Sequence, residues 1–88
     1  MITSASENPA AIAPHKALTR KQQQAVIAIG QYRHIRKIRN SWEVGPHRFS
    51  QSLVDALVQR HLAREVSRSL SLTLAGQLAE MRLKERQQ

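Results

Sequence analysis

The sequence predicts a small α/β domain in which a helix, a short strand, a second helix, a two-stranded hairpin and a last helix follow one another. Two segments, 25–32 and 53–58, carry apolar residues at steps of three and four, as helices with one buried face do. Two shorter segments, 41–44 and 69–72, alternate apolar and polar residues, which is typical of strands. The chain has 88 residues, enough for one small domain with a limited core.

The N-terminal segment, residues 1–16, is rich in Ala, Ser and Pro and has little to bury. We therefore expect a disordered tail there, followed by a single domain over residues 17–86. Thr19 is a suitable N-cap for the first helix. Four residues share the apolar face of this helix: Ala25, Ala28, Ile29 and Tyr32. The helix should end between Tyr32 and Ile35, because a further turn would place arginines on that face.

The interval after the first helix is basic and weakly patterned. Residues 33–40 are predicted to form a basic connection and residues 41–44 a short strand, which ends at the turn signal Gly45-Pro46. The chain has one Trp, Trp42, and one Phe, Phe49. A nucleic-acid-binding protein can use either as a stacking platform, but so few aromatic residues favour a place in the core for both.

The second half of the chain predicts a helix, a hairpin and a helix. Ser50 or Ser52 can cap the second helix, which should run to about residue 60 or 61. Two short strands, 62–66 and 69–72, follow around a Ser-Arg tip. Thr73 is then the expected N-cap of the last helix. A homodimer through the first or last helix is expected, because three apolar residues of the last helix exceed what so thin a domain can bury: Leu78, Met81 and Leu83.

The net charge is the most unusual feature of the composition. Fourteen Lys and Arg residues stand against six Asp and Glu, which gives a formal net charge of +8 and a pI near 11.4. No acidic residue occurs from Asn8 through Ser41. Such a one-sided basic segment is typical of proteins that bind phosphates in nucleic acids. A basic solvated surface, an acidic protein partner and an anionic lipid surface are the alternatives.

Other classes of function find little support in the sequence. No paired carboxylates, glycine-rich phosphate loop or nucleophile motif is present, so we expect neither an enzyme nor a small-molecule substrate. Cysteine is absent, and the four His residues lack metal-ligand spacing, so no metal or other cofactor is expected. No apolar run is long enough to span a bilayer, and the N-terminus lacks the pattern of a secretory signal. A cytoplasmic protein without a membrane partner is expected.

Two stretches carry a resemblance to a known group of proteins. "SQSLVDALVQRHLA", residues 50–63, resembles the recognition helix of winged-helix DNA-binding domains and the strand that follows it. "LSLTLAGQLAEM", residues 70–81, resembles the second wing strand and C-terminal helix of MarR- and PadR-type regulators. With the first helix, the resemblance covers about residues 19–85. One departure is the interval "RKIRNSWEVGPHR", where the group has a complete helix between the first helix and the recognition helix.

The resemblance implies a small bacterial-type transcriptional regulator or accessory factor that binds nucleic acid, DNA rather than RNA. Expected contacts to the phosphate backbone come from four residues: Arg33, Arg36, Lys37 and Arg39. Expected base contacts come from the start of the recognition helix: Arg48, Gln51 and Ser52. Arg64 and Arg68 flank the expected wing tip. The alternative is a protein-interaction module that uses the same fold to dock an acidic partner, and a third option is an RNA-associated factor.

Overall fold

Residues 8–86 are described by a computed structural model, and they form five helices and two antiparallel sheets. The helices are α1 Pro9–Ile12, α2 Pro14–Ala17, α3 Arg20–Gln31, α4 Gln51–Gln59 and α5 Leu74–Arg86. The strands are β1 Ile35–Ile38, β2 Ser41–Val44, β3 His47–Ser50, β4 Ala63–Val66 and β5 Ser69–Leu72. The first sheet has the order β1-β2-β3, and β4 with β5 forms a separate hairpin. The prediction of a small α/β domain is confirmed.

The N-terminal segment differs from the disordered tail predicted for residues 1–16. Within it, α1 and α2 are single helical turns, and α1 packs along α5. Ala10 and Ala11 are buried in this contact. Asn8 caps α1 through its Oδ1 atom, and its Nδ2 atom donates to the carbonyl oxygen of Arg60 at 2.8 Å. Small residues allow this close packing, yet they lack the apolar pattern that identifies a helix from sequence. Residues 1–7 lie outside the described part of the chain.

α3 agrees closely with its prediction. The Thr19 side chain accepts from the backbone N–H of Gln22, and the Gln22 side chain accepts from the backbone N–H of Thr19. This reciprocal capping box satisfies two N–H groups that the first turn would otherwise leave unpaired. The helix ends at Gln31, with Tyr32 as its C-cap. Three residues of its predicted apolar face are buried in the core: Ala25, Ala28 and Ile29.

The interval predicted as a basic connection and one strand is a three-stranded sheet. β2 lies where the strand was predicted, but β1 replaces most of the connection and β3 follows the Gly45-Pro46 turn. β1 does not alternate apolar and polar residues, because Lys37 occupies an inward position opposite Trp42. β3 has only one buried residue, Phe49. β1 and β3 are thus recognisable only by their pairing with β2. No residue of 33–48 is helical.

The sheet buries one of its faces. Trp42, Val44 and Phe49 point inward and belong to the core, which confirms the core assignment of the Trp and the Phe. β2 and β3 contact α4. Gly45 has φ +58° in the two-residue turn between β2 and β3, and Pro46 follows it. A positive φ followed by proline suits a tight hairpin turn of type II′.

α4 begins and ends as predicted. The Ser50 side chain accepts from the backbone N–H of Leu53 at 3.2 Å, so Ser50, the last residue of β3, is the N-cap. At the other end, His61 has φ +62°, and Leu62 donates its N–H to the carbonyl oxygen of Leu57 at 3.0 Å. This is the Schellman arrangement that reverses the chain direction after a helix.

The hairpin and the last helix also agree with their predictions. β4 and β5 pair around the turn at residues 67–68, although β4 starts one residue later than predicted. Thr73 caps α5 by accepting from the N–H of Gly76 at 3.1 Å. Gly76 lies so close to the carbonyl oxygen of Leu62 that any Cβ atom would overlap it. Within residues 8–86, no helix combines the length and the apolar character needed to cross a membrane.

Candidate nucleic-acid interface

The outer face of the three-stranded sheet is basic, and half of its residues are exposed. Because cross-strand neighbours share a face, it consists of the residues that alternate with the buried ones: Arg36, Ile38, Ser41, Glu43, Arg48 and Ser50. Residues 33–50 as a whole contain five Arg and Lys residues against a single Glu. Half of the formal net charge of the chain therefore lies in this short segment.

A row of three charged side chains crosses the outer face. Glu43 lies opposite Arg36 on one side and Arg48 on the other. Its carboxylate oxygens are 3.0 Å from the Arg36 guanidinium and 3.4 Å from that of Arg48. Each guanidinium has five N–H groups, so most of its donors stay free. Both side chains are largely exposed, at 74% for Arg36 and 67% for Arg48.

Two further predicted residues flank this row along β1. Arg39 is exposed in the turn between β1 and β2, and Arg33 is exposed where α3 leads into β1. Six residue steps separate them, which corresponds to about 20 Å of extended chain. Arg33 and Arg36 also line a groove of about 530 Å³ together with Glu43. Arg33 and Arg39 therefore lie beyond the two ends of β1, which contains Arg36, and Arg48 lies on the same sheet.

Unlike the other predicted contact residues described so far, Lys37 and Gln51 belong to a hydrogen-bond network within the protein. Gln51 Oε1 accepts from Trp42 Nε1 at 3.0 Å and also from Lys37 Nζ. Gln51 Nε2 donates to Asp55 Oδ1 at 2.8 Å and to Glu65 Oε1 at 3.1 Å. The Lys37 ammonium lies 5.2 Å from the centre of the Trp42 ring. This Gln51 network uses all four hydrogen-bonding positions of the amide, so none is left for a base edge.

The exposed surface of α4 is not basic. Ser52, Asp55 and Gln59 point to solvent at steps of three and four. Glu65 of β4 adds a second carboxylate beside Asp55, since both accept from the same Gln51 nitrogen. Ser52 is exposed, and its hydroxyl lies 3.3 Å from that of Ser50. Two carboxylates at the start of α4 oppose the approach of a phosphate backbone.

The hairpin carries the last two predicted residues. Arg64 lies on β4 opposite Ser71, and Arg68 lies in the turn that joins the strands. Both are exposed. Neither lies on the three-stranded sheet that contains Arg36 and Arg48. Ser67, beside Arg68, has φ +55°, which matches the tight turn of this hairpin.

One basic residue near the sheet was absent from the sequence-based set. Lys21 of α3 lines a groove with Arg48 and Ser50 of β3, although 27 residues separate Lys21 from Arg48 in the sequence. Only the tertiary fold brings them to one groove. No local pattern in the sequence points to Lys21 in particular, since Arg20 before it has the same charge.

The His residues give no sign of a metal site in the described part of the chain. No group of three or more potential metal ligands occurs within residues 8–86. Partial burial lowers the pKa of His15 on α2, and the nearby charges of Arg86 and Lys16 lower it further. The influence of Arg86 reflects the position of α2 beside α5.

The predicted homodimer stays a prediction, and the exposed residues of α5 are relevant to it. Leu83 is buried and Leu78 is partly buried, whereas Leu74 and Met81 are exposed. Leu74 and Met81 are seven residues apart and share one side of the helix.

Comparisons of this chain with protein-family models, with curated proteins and with solved structures find no match.

Proposed function

We propose that this protein binds double-stranded DNA, with the outer face of the three-stranded sheet as its main contact surface, and acts as a small transcriptional regulator or accessory factor. The observation that carries the proposal is the pair of exposed guanidinium groups, Arg36 and Arg48, on one face of the sheet. Phosphate contacts supply most of the affinity of such proteins, and a β-ribbon fits the major groove. Arg33 and Arg39 extend the surface along β1.

Glu43 does not oppose this role. It neutralises one positive charge of the row, but exposed ion pairs contribute little free energy. Phosphate oxygens can replace the Glu43 carboxylate on either guanidinium, because each Arg has further donors.

A duplex suits this surface better than a single strand. Proteins that bind single strands stack bases on exposed aromatic rings. Here Trp42 and Phe49 are buried under the opposite face of the sheet. The outer face presents guanidinium, hydroxyl and aliphatic groups, which contact phosphates and base edges rather than base faces.

The winged-helix resemblance belongs to the same proposal. The order α4, β4, β5, α5, with a tight turn between the strands, is consistent with a recognition helix, a wing and a C-terminal helix. In the interval before α4, a sheet stands where that group has a helix. Because Asp55 lies on α4 and Glu65 lies beside it, we propose that the sheet, rather than α4, faces the DNA. Arg64 and Arg68 on the hairpin are then secondary contacts.

The test is the salt dependence of binding to a mixed-sequence duplex, measured by fluorescence anisotropy. The wild type should give a log-log slope of about −4 to −6, which corresponds to roughly five to six neutralised phosphates. In the double variant Arg36→Gln/Arg48→Gln, the slope should be shallower by about 2. Binding should be weaker by about 30–100-fold at 0.1 M salt.

A matched control separates this surface from the net charge. Arg60→Gln/Arg82→Gln lowers the formal charge by the same amount, from +8 to +6, away from the sheet. It should retain most of the affinity. Equal losses in the two double variants would refute the sheet as the contact surface. Absence of wild-type binding even at low salt would refute the DNA-binding proposal itself.

Docking of an acidic protein is the second candidate. The observation in its favour is the sheet at residues 35–50, which leaves no helix-turn-helix unit before α4. Polyglutamate can compete with the labelled duplex at constant ionic strength to compare the two classes. If the protein prefers polyglutamate, the acidic partner is supported. If the duplex is preferred and Arg36→Gln/Arg48→Gln removes that preference, DNA is supported.

A further inference from the structure

We infer that the groove between α3 and β3 is a binding site for a phosphodiester group of the nucleic-acid backbone. Lys21 and Gln24 of α3 form one wall, and His47, Arg48 and Ser50 of β3 form the other. The groove has a volume of about 300 Å³, which is ample for a phosphate with its attached sugar. This inference rests on the proposed function and identifies a second contact surface beside the outer face.

The chemistry of the walls suits an anion. Lys21 supplies an ammonium group and Arg48 a guanidinium group, both of which are donors only. Gln24 and Ser50 add an amide and a hydroxyl that can also donate to phosphate oxygens. Among residues 8–86, no carboxylate lines this groove. Two other grooves on the molecule each contain one, Glu43 in the first and Glu80 in the second.

The base of the groove suits a sugar. Phe49 and Leu53 are the apolar residues of the lining, and Phe49 is buried whereas Leu53 is partly buried. Phe49 presents only 8% of its surface, so it offers a small apolar area rather than a ring on which a base can stack. A deoxyribose can contact such an area while its phosphate faces Lys21 and Arg48.

The groove is continuous with the outer face of the sheet. Arg48 belongs to both, since its guanidinium lies 3.4 Å from Glu43 on the outer face and the residue is also part of the lining of the groove. β3 is an edge strand, so no neighbouring strand separates the two surfaces. A DNA backbone that crosses the outer face can therefore pass over β3 and place a phosphate beside Lys21.

The experiment compares Lys21→Gln with Arg20→Gln in the duplex-binding assay. These neighbouring residues are both exposed and carry the same charge, but only Lys21 lines the groove. Lys21→Gln should weaken binding about 5–10-fold at 0.1 M salt and reduce the log-log slope by about 1. Arg20→Gln should change the affinity by less than about 2-fold, because only close phosphate contacts release counterions. Circular dichroism checks that both variants are folded.

The outcomes separate this inference from the proposed function. If the wild type binds the duplex and both variants lose the same affinity, the groove is refuted while DNA binding stands. If the wild type binds no duplex, inorganic pyrophosphate is titrated into wild-type and Lys21→Gln protein and followed by NMR. Shifts of the Gln24, Arg48 and Ser50 amide signals in the wild type alone would support the groove although DNA binding has failed. Absence of those shifts would refute both.

Discussion

His61 ends α4 in a conformation that suits glycine better than histidine. Its φ of +62° lies in the left-handed region, where the Cβ atom of an L-residue is crowded. The His61 side chain is exposed, so few packing contacts are lost when it is removed. We expect His61→Gly to raise the free energy of unfolding by about 0.5–1 kcal/mol, measured by urea denaturation.

The control at this position is His61→Ala. It removes the same side chain but keeps a Cβ atom in the left-handed region, so it should not stabilise the protein. If both variants gain equally, the imidazole itself is unfavourable and the backbone conformation is not the cause. Ser67, at φ +55° in the hairpin turn, is the other non-glycine residue within residues 8–86 with a positive φ.

At the scale of elements, Gln51 connects three parts of the fold through one amide group. It contacts Trp42 of the sheet, Asp55 of its own helix and Glu65 of the hairpin. Gln51→Glu retains an acceptor for the Trp42 indole but places a third carboxylate beside the two acidic residues. We expect this variant to lower the free energy of unfolding by about 1–3 kcal/mol. Urea denaturation followed by the fluorescence of Trp42, the one tryptophan of the chain, measures the change.

A second substitution tests the cause of that loss. Adding Glu65→Gln to Gln51→Glu removes one carboxylate and restores an amide donor between the two positions. The double variant should recover part of the lost free energy, so that the two substitutions are not additive. Additive losses would show that the link between α4 and the hairpin does not stabilise the fold.

At the scale of the whole molecule, the N-terminal segment is part of the same core as the helices and the sheet. Ala11 is fully buried in that core, whereas its neighbour Ile12 is 46% exposed. Ala11→Asp should lower the free energy of global unfolding by about 3–5 kcal/mol, because it buries an unpaired charge. Ile12→Asp introduces the same carboxylate one residue away at a half-exposed position, and it should lower the free energy of unfolding by only about 1 kcal/mol.

Trp42 fluorescence during urea denaturation reports both variants, since Trp42 lies in the sheet and not in the N-terminal segment. A large loss for Ala11→Asp alone would place the segment within the cooperative unit. If neither variant shifts the transition, the N-terminal segment unfolds independently of the rest of the domain. Its behaviour in solution would then agree with the disordered tail predicted from composition and not with stable packing on α5.

Much of the fold was predictable because its signals are local. The Thr19 and Ser50 caps lie within three residues of the N–H groups that they satisfy. The start of α5 is also a local feature, because Thr73 accepts from the N–H of Gly76 three residues further on. Such features need no knowledge of distant parts of the chain.

The candidate site was predictable only in part. The abundance of Arg near residues 33–48 correctly located a basic surface, since Arg36 and Arg48 are exposed on one sheet face. Which of these residues have free donors depends on their neighbours in space. Lys37 donates to Gln51 within the Gln51 network. Lys21 of α3 lines the same groove as Arg48 of β3. Neither of these two placements is indicated by a repeating pattern of residues in the sequence.

The sequence by itself determined the three long helices, the hairpin, the burial of Trp42 and the strong basic charge. Caps, turns and apolar spacing act between residues a few positions apart, so they are visible along the chain. Tertiary structure decided that residues 35–50 form a sheet, that residues 8–17 pack on α5 and which Arg side chains share a face. Strand pairing and side-chain grouping depend on contacts between residues far apart in the chain, and their free energy exists only once the whole core has assembled.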